Sequence, residues 1–237
     1  LYLWSGHAAN QPHYDTLNVE ESKAAWDGFI FMGSWQRDTV CEKFELDRDK
    51  AVNLGMAIAP AFETQFSPGE SIVSHKSAKP VLVYTSTPFR GLEVLVDAFP
   101  AIREQLPEAE LRIFSSMKLY QIDEKDDQFT QLYERCRGMP GVDYVGPIPQ
   151  PKLAEELKSA WVHAYANTFA ETACVAIMEG MASGCGVVTS HLGSLPETCA
   201  GYAKLIAEPP TSPAYRDAFV AAVVSLCRGI EQAETNQ

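Results

Sequence analysis

The feature that most constrains the fold is an alternation of short apolar runs with longer helical patterns from about residue 80 onward. Between two of the runs, apolar residues recur at spacings of three and four from Leu92 to Ile102, which is typical of a helix with one buried face. Six strands separated by helices predict right-handed βαβ crossovers and a parallel sheet covered on both faces. The predicted fold class is therefore α/β, with a Rossmann-like domain. The predicted strands are residues 81–84, 111–114, 142–145, 161–165, 186–189 and 203–206.

Residues 1–62 show the same alternation in a shorter form. Three predicted strands are too few for an independent doubly wound sheet, so we interpret this segment as the trailing part of a second Rossmann-like domain. Because the chain opens directly on an apolar run, we expect a fragment that lacks most of that N-terminal domain. The predicted strands are 1–4, 28–32 and 51–54, with a helix at 35–44. The predicted domains are 1–62 and 79–237, joined by a linker at 63–78.

Charge and composition exclude several classes of function. The chain carries 19 basic and 31 acidic residues, and the net charge of −12 repels polyanions, so we expect no nucleic-acid partner. No apolar run approaches the ~20 residues of a membrane span, so this part of the chain does not indicate membrane association. The six cysteines form no CxxC pair, and the acidic run at 123–127 is typical of a solvated helix start. We therefore expect a cytoplasmic protein with reduced thiols and no metal site.

Two glutamates, Glu171 and Glu179, carry the main functional signal. Glu171 comes just before the small residues 172–174, which we expect at a helix start just after a strand, where α/β folds bind ligands. We expect Glu179 about two turns into that helix and Gly184 as the residue that closes it. Eight helical positions would separate the two backbones by ~12 Å, too far for a glycosidase acid/base pair. The spacing suits two carboxylates at opposite ends of an extended nucleoside diphosphate sugar. Alternatively, Glu171 is an acid favoured by the helix dipole and Glu179 lies on a solvated helix face.

The sequence around these glutamates resembles the E-x7-E signature region of family 4 glycosyltransferases. Glu179 is followed by Gly-Met-Ala-Ser-Gly-Cys-Gly-Val-Val-Thr-Ser and then by Gly-Ser-Leu-Pro-Glu at 193–197. This family has the GT-B architecture, in which two Rossmann-like domains face each other across a cleft. The chain departs from the family pattern at Cys174, where the family has Gly, at Gly180, where it has Ala, and at Gly186, where it has Pro.

The resemblance implies roles for residues along most of the chain. Arg90 and Gly91 are similar to the family's cation-Gly pair at the diphosphate, and Arg suits that role because it binds phosphate oxygens bidentately. A second family cation, six residues earlier, is replaced here by Tyr84, so the hydroxyls at 85–87 are candidate substitutes. Glu179 is expected at the ribose and Glu171 at the sugar, which His7 contacts from the opposite wall. His163, inside a strand, is interpreted as structural.

The resemblance thus implies His7, Glu171 and Arg90 as the catalytic set. It also implies a donor-binding set that consists of the phosphate loop, a nucleobase loop after a strand and the helix start. The donor-binding residues are Glu179, Gly91, Thr87, Gly146, Pro147, Ile148, Thr172, Ala173, Cys174 and Val175.

The implied activity is transfer of a hexosyl or other sugar, with retention of anomeric configuration, from a nucleotide sugar that we expect to be UDP- or GDP-linked. No cofactor or metal is implied, and the acceptor is a glycan, a lipid or a small molecule. Two alternatives remain: a nucleotide-sugar epimerase of GT-B architecture, and a nucleotide-sugar-binding module without catalysis. If residues outside this chain carry the acceptor wall, the fragment binds donor but is inactive alone.

Overall fold

The computed structural model describes residues 1–235, and the last two residues of the predicted C-terminal domain lie outside the described part. Its backbone contacts divide the chain into two compact units. Unit 1 consists of Leu1–Ala57, Ala170–Val175 and Leu192–Gly201. Unit 2 consists of Ile58–Phe169, Ala176–His191 and the chain from Tyr202 onward.

Unit 1 contains a three-stranded parallel sheet in the order β1-β2-β3. The strands are β1 (Tyr2–Trp4), β2 (Gly28–Phe31) and β3 (Ala51–Asn53), and the helices between them are α1 (Glu20–Ala24) and α2 (Ser34–Phe44). The predicted strands are thus confirmed with slightly shorter bounds, and the predicted helix is confirmed with one more residue at its start. One sheet face packs on a core of large apolar side chains. This core includes Tyr14, Leu17, Phe29, Phe31, Val40 and Phe44.

The opposite face of this sheet is exposed. Register places Trp4, Ile30 and Val52 side by side, and alternation adds Tyr2 and Leu54 to the same face. Tyr2, Trp4, Val52 and Leu54 are 62%, 61%, 53% and 66% exposed, respectively. We call these five residues the apolar sheet face. Parallel sheets are usually covered on both sides, so such exposure is unusual.

Unit 2 is built on a six-stranded, fully parallel sheet in the order β6-β5-β4-β7-β8-β9. All six predicted strands are present, and the buried ones at the centre show the continuous apolar pattern of a sheet covered on both faces. The strands are β4 (Val81–Tyr84), β5 (Glu110–Ile113), β6 (Val142–Tyr144), β7 (Val162–Tyr165), β8 (Gly186–Ser190) and β9 (Ala203–Ile206). This is the strand order of a doubly wound Rossmann sheet, and it confirms the predicted α/β class.

The remaining helices follow these strands. The predicted apolar stripe on α3 is confirmed, since Leu92, Leu95, Val96, Phe99 and Ile102 are all fully buried, and α3 packs against α8. None of the helices described is long and apolar enough to cross a membrane. The helices are α3 (Leu92–Gln105), α4 (Thr130–Gly138), α5 (Gln150–Ser159), α6 (Val175–Ala182), α7 (Leu195–Cys199) and α8 (Pro213–Thr235).

The segment predicted as a linker packs on unit 2. Lys76 is half-buried, and its Nζ donates to the carbonyl oxygens of Lys158 (3.1 Å) and Ser183 (3.2 Å), at the ends of α5 and α6. The Lys158 Nζ in turn donates to the Gln65 carbonyl at 2.6 Å. A cation at a helix C-terminus is stabilising because it complements the free carbonyl groups there.

Candidate functional site

The strand order of unit 2 reverses between β4 and β7, which are hydrogen-bonded neighbours. At such a switch point the loops that leave the two strands run in opposite directions and open a crevice, where α/β proteins bind ligands. The loop after β4 covers residues 85–91, and the loop after β7 begins at Ala166. The predicted phosphate loop therefore lies at the switch point.

The loop after β4 is held tightly at both ends. At its start, the buried Tyr84 hydroxyl donates to the Thr87 carbonyl at 2.8 Å. At its end, Gly91 adopts φ 106°, in the left-handed region, and a Cβ there would collide with the Ala166 carbonyl. Only glycine fits both this conformation and this close approach. Helix α3 begins at the next residue, Leu92.

A cavity of about 330 Å³ opens beside this loop. Its wall combines the hydroxyl residues of the loop and Arg90 on one side with apolar residues on the other. Thr87, Pro147 and Ile148, which were predicted to bind the donor, line this cavity together with Arg90, which was predicted as catalytic. The full lining is Thr85, Ser86, Thr87, Arg90, Phe114, Ser116, Leu119, Tyr120, Pro147, Ile148, Gln150 and Leu153.

The three loop hydroxyls have different surroundings. The Thr85 Oγ1 lies 3.2 Å from His163 Nε2, and the Ser86 Oγ accepts from the Tyr165 hydroxyl at 3.4 Å. Thr87 is only 7% exposed, and within the described residues its Oγ1 has no hydrogen-bond partner. A buried hydroxyl without a partner is costly, so a ligand oxygen in the cavity would supply the missing bond.

The predicted nucleobase loop follows β6 and is tied to the end of the neighbouring strand β5. The amides of Val145 and Gly146 both donate to the Ile113 carbonyl, at 3.0 and 3.1 Å. Gly146 has φ 75°, in the left-handed region, and itself is not part of the cavity wall. Its turn carries Pro147 and Ile148 to the cavity, and α5 starts at Gln150.

Glu179 lies on α6 and is only 4% exposed, so a solvated helix face is the wrong interpretation for it. Burial raises the pKa of its carboxyl, and a hydrogen bond from Gln150, a residue of the cavity wall, opposes that rise. The predicted position within the helix also needs correction. Because α6 begins only at Val175, Glu179 is one turn into the helix and Glu171 lies outside it, so the helical rise does not apply to this pair.

The end of α6 confirms the predicted role of Gly184. Its φ is 72°, its amide donates to the Met181 carbonyl at 2.9 Å, and the Cys185 amide donates to the Gly180 carbonyl at 3.0 Å. These two bonds form a Schellman motif, which satisfies carbonyl groups that the helix leaves free.

Gly180 explains one departure from the family pattern. A Cβ on Gly180 would lie 2.5 Å from the Nδ1 of His163, which is fully buried in β7. The imidazole thus occupies the space of the side chain that the family carries on the helix. Burial lowers the pKa of His163 to about 4, so the ring is neutral at pH 7, consistent with a structural role.

In unit 1, His7 follows β1 and is exposed. Its Nδ1 lies 3.1 Å from the Ser5 hydroxyl, and its ring stacks on His13 with centroids 4.1 Å apart. Burial and the neighbouring His13 both lower the pKa of His7. Its carbonyl accepts from Gln36 Nε2 at 2.8 Å, which fixes the backbone of the loop. The Ser5 and His13 contacts thereby hold the His7 ring in place, and the lowered pKa favours its neutral form.

The segment 170–175 also belongs to unit 1. Its Thr172 hydroxyl donates to the carbonyl of Gly6, the neighbour of His7, at 2.7 Å. Glu171 is 2% exposed, and its carbonyl accepts from the Ser194 amide at 2.8 Å. Cys174 is also buried, and Ala173 is half-buried. Unit 1 therefore brings Glu171 and Thr172 to the same loop cluster as His7.

The sequence prediction missed Gln150 and Tyr120 in the cavity wall. Their only sequence signal was a position next to a predicted loop. The acidic run was misjudged at Asp127, which is 6% exposed and accepts from the Tyr133 hydroxyl at 2.8 Å. Within residues 1–235, no group of three or more His, Cys, Asp or Glu side chains is placed to hold a metal ion.

Comparison with solved structures shows the fold. A glycosyltransferase from Rickettsia africae superposes with a TM-score of 0.70 at 14% identity over 98% of this chain and 63% of its own length. The Anabaena protein HepE, solved with UDP-glucose, gives 0.65 at 14% identity over 100% of this chain and 72% of its own. The trehalose 6-phosphate synthase of Burkholderia multivorans gives 0.67 at 12% identity over 98% and 61%.

This chain therefore spans less than two thirds of the Rickettsia and Burkholderia proteins. No curated protein matches it significantly by sequence. The likenesses identify the α/β fold as that of the GT-B, Rossmann-like glycosyltransferase domains. The sequence profile described as "Glycosyl transferases group 1" matches residues 79–228, more than half of the 237-residue chain. The chain belongs to the group 1 glycosyltransferase family.

Proposed function

We propose that this chain is the donor-binding part of a retaining, family 4 glycosyltransferase, with Glu171 and Glu179 as its E-x7-E pair. The donor is a UDP- or GDP-linked sugar, and no metal or further cofactor takes part. The proposed division assigns residues 1–62 to an acceptor-side domain, 63–78 to a linker and 79–237 to the donor domain. The protein acts in the cytoplasm on a glycan, lipid or small-molecule acceptor.

The observation that carries the proposal is the cavity at the switch point of unit 2. Its wall includes Arg90 and Thr87, whose buried hydroxyl has no hydrogen-bond partner among the described residues, and both side chains are of a type that can donate to phosphate oxygens. The other wall, with Phe114, Ile148 and Leu153, is apolar and suits the flat face of a nucleobase. This combination fits a nucleoside diphosphate.

The ribose is assigned to Glu179. A carboxylate accepts two hydroxyl hydrogens at once, and Gln150 donates to it from the cavity wall. Because Glu179 is buried, the bond from Gln150 helps to keep its carboxyl ionised. Glu171 and His7 are proposed to contact the transferred sugar.

In the proposed reaction the bond between the anomeric carbon and the β-phosphate oxygen breaks, and a bond from that carbon to an acceptor hydroxyl oxygen forms. Negative charge develops on the departing diphosphate, and the hydroxyl proton passes to an oxygen of that diphosphate. Arg90 stabilises that charge by hydrogen bonds that strengthen in the transition state. Retention follows from family analogy, and no nucleophile is assigned.

One observation favours a second candidate, a nucleotide-sugar-binding module without catalysis. Tyr84, at the position of the family's second cation, is fully buried, and its hydroxyl is committed to the Thr87 carbonyl. The developing diphosphate charge would then meet one cation rather than two.

Isothermal titration with UDP and with GDP tests the donor site. We expect one of them to bind. Glu179→Ala should weaken that binding about tenfold or more, because each of the two ribose hydroxyls loses its hydrogen bond to the carboxylate. Glu155→Ala is the matched control, since Glu155 is exposed on α5. Undetectable binding at millimolar nucleotide would contradict the proposal.

Product analysis by NMR on the full-length protein separates the alternatives. Transfer with retention gives a glycoside of unchanged anomeric configuration, an epimerase gives an isomerised sugar, and a binding module gives neither product. If the donor binds and no transfer or hydrolysis follows with a broad panel of acceptors, the module is the correct assignment.

A further inference from the structure

Arg90 packs against a pair of phenylalanine rings within unit 2. Its guanidinium carbon is 4.7 Å from the ring centroid of Phe169 and 5.4 Å from that of Phe89. The two rings meet edge to face with centroids 5.9 Å apart, and Tyr120 approaches Phe89 at 6.1 Å. We call Phe89 and Phe169 the aromatic bracket. One ring comes from the loop after β4 and the other from the loop after β7.

The bracket is held by backbone as well as by ring contacts. The Thr168 amide donates to the Arg90 carbonyl at 3.4 Å, and the Thr168 hydroxyl donates to the Phe89 carbonyl at 3.5 Å. Asn167 ties its own loop down, since its side chain accepts from the Phe169 amide at 3.0 Å and donates to the Phe169 carbonyl. Phe169 therefore has a fixed backbone from which to meet Arg90.

Aromatic faces on a guanidinium have two physical effects. They reduce the number of rotamers that a long, flexible side chain visits, so less entropy is lost when it binds an anion. They also exclude water from the part of the guanidinium that they cover, which strengthens its interaction with an anion. A lysine in the same place would gain less, because its ammonium group has no flat face to stack.

These effects matter here because Tyr84 replaces a second cation in the phosphate loop. With one cation from this loop, the strength of phosphate binding depends on how well that cation is oriented.

We infer that Phe169 is a positioning residue that orients Arg90 toward the β-phosphate of the donor. The inference rests on the proposed nucleoside diphosphate site. Its specific consequence is that the bracket contributes to the affinity for the diphosphate and not to the affinity for the nucleoside.

The test compares UDP with uridine, or GDP with guanosine if GDP is the nucleotide that binds. Wild type, Phe169→Leu and Phe169→Tyr are titrated with each ligand, by calorimetry for the nucleotide and by NMR for the nucleoside. We expect Phe169→Leu to weaken the nucleotide about 3- to 30-fold, which is the range of a partly desolvated cation–π contact, and the nucleoside less than twofold. Phe169→Tyr retains the ring and should restore nucleotide affinity.

Arg90→Lys provides an independent measurement. It keeps the charge but loses the stack, so nucleotide affinity should fall, and adding Phe169→Leu should then cause little further loss. Equal weakening of nucleotide and nucleoside by Phe169→Leu would overturn the inference, because it would indicate a general structural role. Unchanged nucleotide affinity in Phe169→Leu would also overturn it. Failure of wild type to bind any nucleotide would instead overturn the proposed function, and the inference with it.

Discussion

Gly180 packs directly against the imidazole of His163. Replacing Gly180 by alanine should therefore destabilise the protein when the imidazole is present and stabilise it when the imidazole is removed. In the native protein the new Cβ would meet His163 Nδ1 at 2.5 Å. The imidazole is fully buried, so it has no free space into which to move. Overpacking of this kind costs about 1–3 kcal/mol. Alanine in a helix interior gains up to about 1 kcal/mol over glycine. We therefore expect a net loss of about 1–2 kcal/mol.

A His163→Ala background removes the ring contacts at 2.5 and 3.2 Å and leaves the milder contact with the Cβ of residue 163 at 3.3 Å. Gly180→Ala should then stabilise the protein by up to about 1 kcal/mol, so the two positions are coupled by about 2–3 kcal/mol. The assay is urea unfolding of the four proteins of the cycle, followed by far-UV circular dichroism at constant pH. Gly229→Ala is the matched control, because Gly229 also lies in a helix and has no heavy atom within 4 Å of the position that a Cβ would take. If Gly180→Ala behaves like Gly229→Ala in the native background, the packing argument is wrong.

Three further predictions concern pH, capping and thiols. The pKa of His163 is about 4 in the folded protein and 6.5 in the unfolded chain, so the unfolded chain takes up the proton first, and stability falls as pH drops from 6.5 toward 4. Between pH 7 and 4.5, the free energy of unfolding of the wild type, measured in urea, should fall by about 2–3 kcal/mol more than that of His163→Asn. Glu197 accepts from the Ser34 and Trp35 amides at 2.8 and 3.0 Å, so Glu197→Gln should cost roughly 0.5–1 kcal/mol at pH 7. Burial alone would raise the pKa of Glu197, but the bonds from the two amides outweigh it, and the pKa is lowered. In thermal unfolding, Glu197→Gln should therefore be less stable than the wild type above pH 4.5, and the difference should disappear as pH falls through the lowered pKa. All six cysteines are buried, so Ellman's reagent should label none rapidly in the native protein and six in urea; rapid native labelling would contradict their burial.

Much of the fold could be predicted because its signals are local. Each strand of unit 2 is a short apolar run, and α3 has a clear stripe from Leu92 to Ile102, so periodicity alone indicated both. Gly184 ends α6 as its position suggested, since a helix C-terminus is specified by a few neighbouring residues.

The parts that sequence reasoning missed depend on contacts between distant residues. Glu179 looks like an exposed helix residue until the fold places Gln150 beside it. Asp127 sits in a charged run, but its burial follows from the ring of Tyr133 in the next helix. Likewise, Phe169 meets Arg90 across 79 positions of sequence, and no local pattern encodes that contact. Functional side chains of this kind are specified by topology rather than by their neighbours in sequence.

The apolar sheet face bears on how this protein behaves in concentrated solution. Tyr2, Trp4, Val52 and Leu54 present a short-range adhesive surface, while the net charge of −12 supplies longer-range repulsion between molecules. Salt screens that repulsion over about 8–10 Å at physiological strength, and acidification toward the sequence pI of 4.8 removes it. Self-association measured by light scattering should therefore rise with salt and with falling pH, and a Trp4→Lys substitution should suppress it. The same charge that excludes polyanions as partners thus acts as the colloidal stabiliser of the chain.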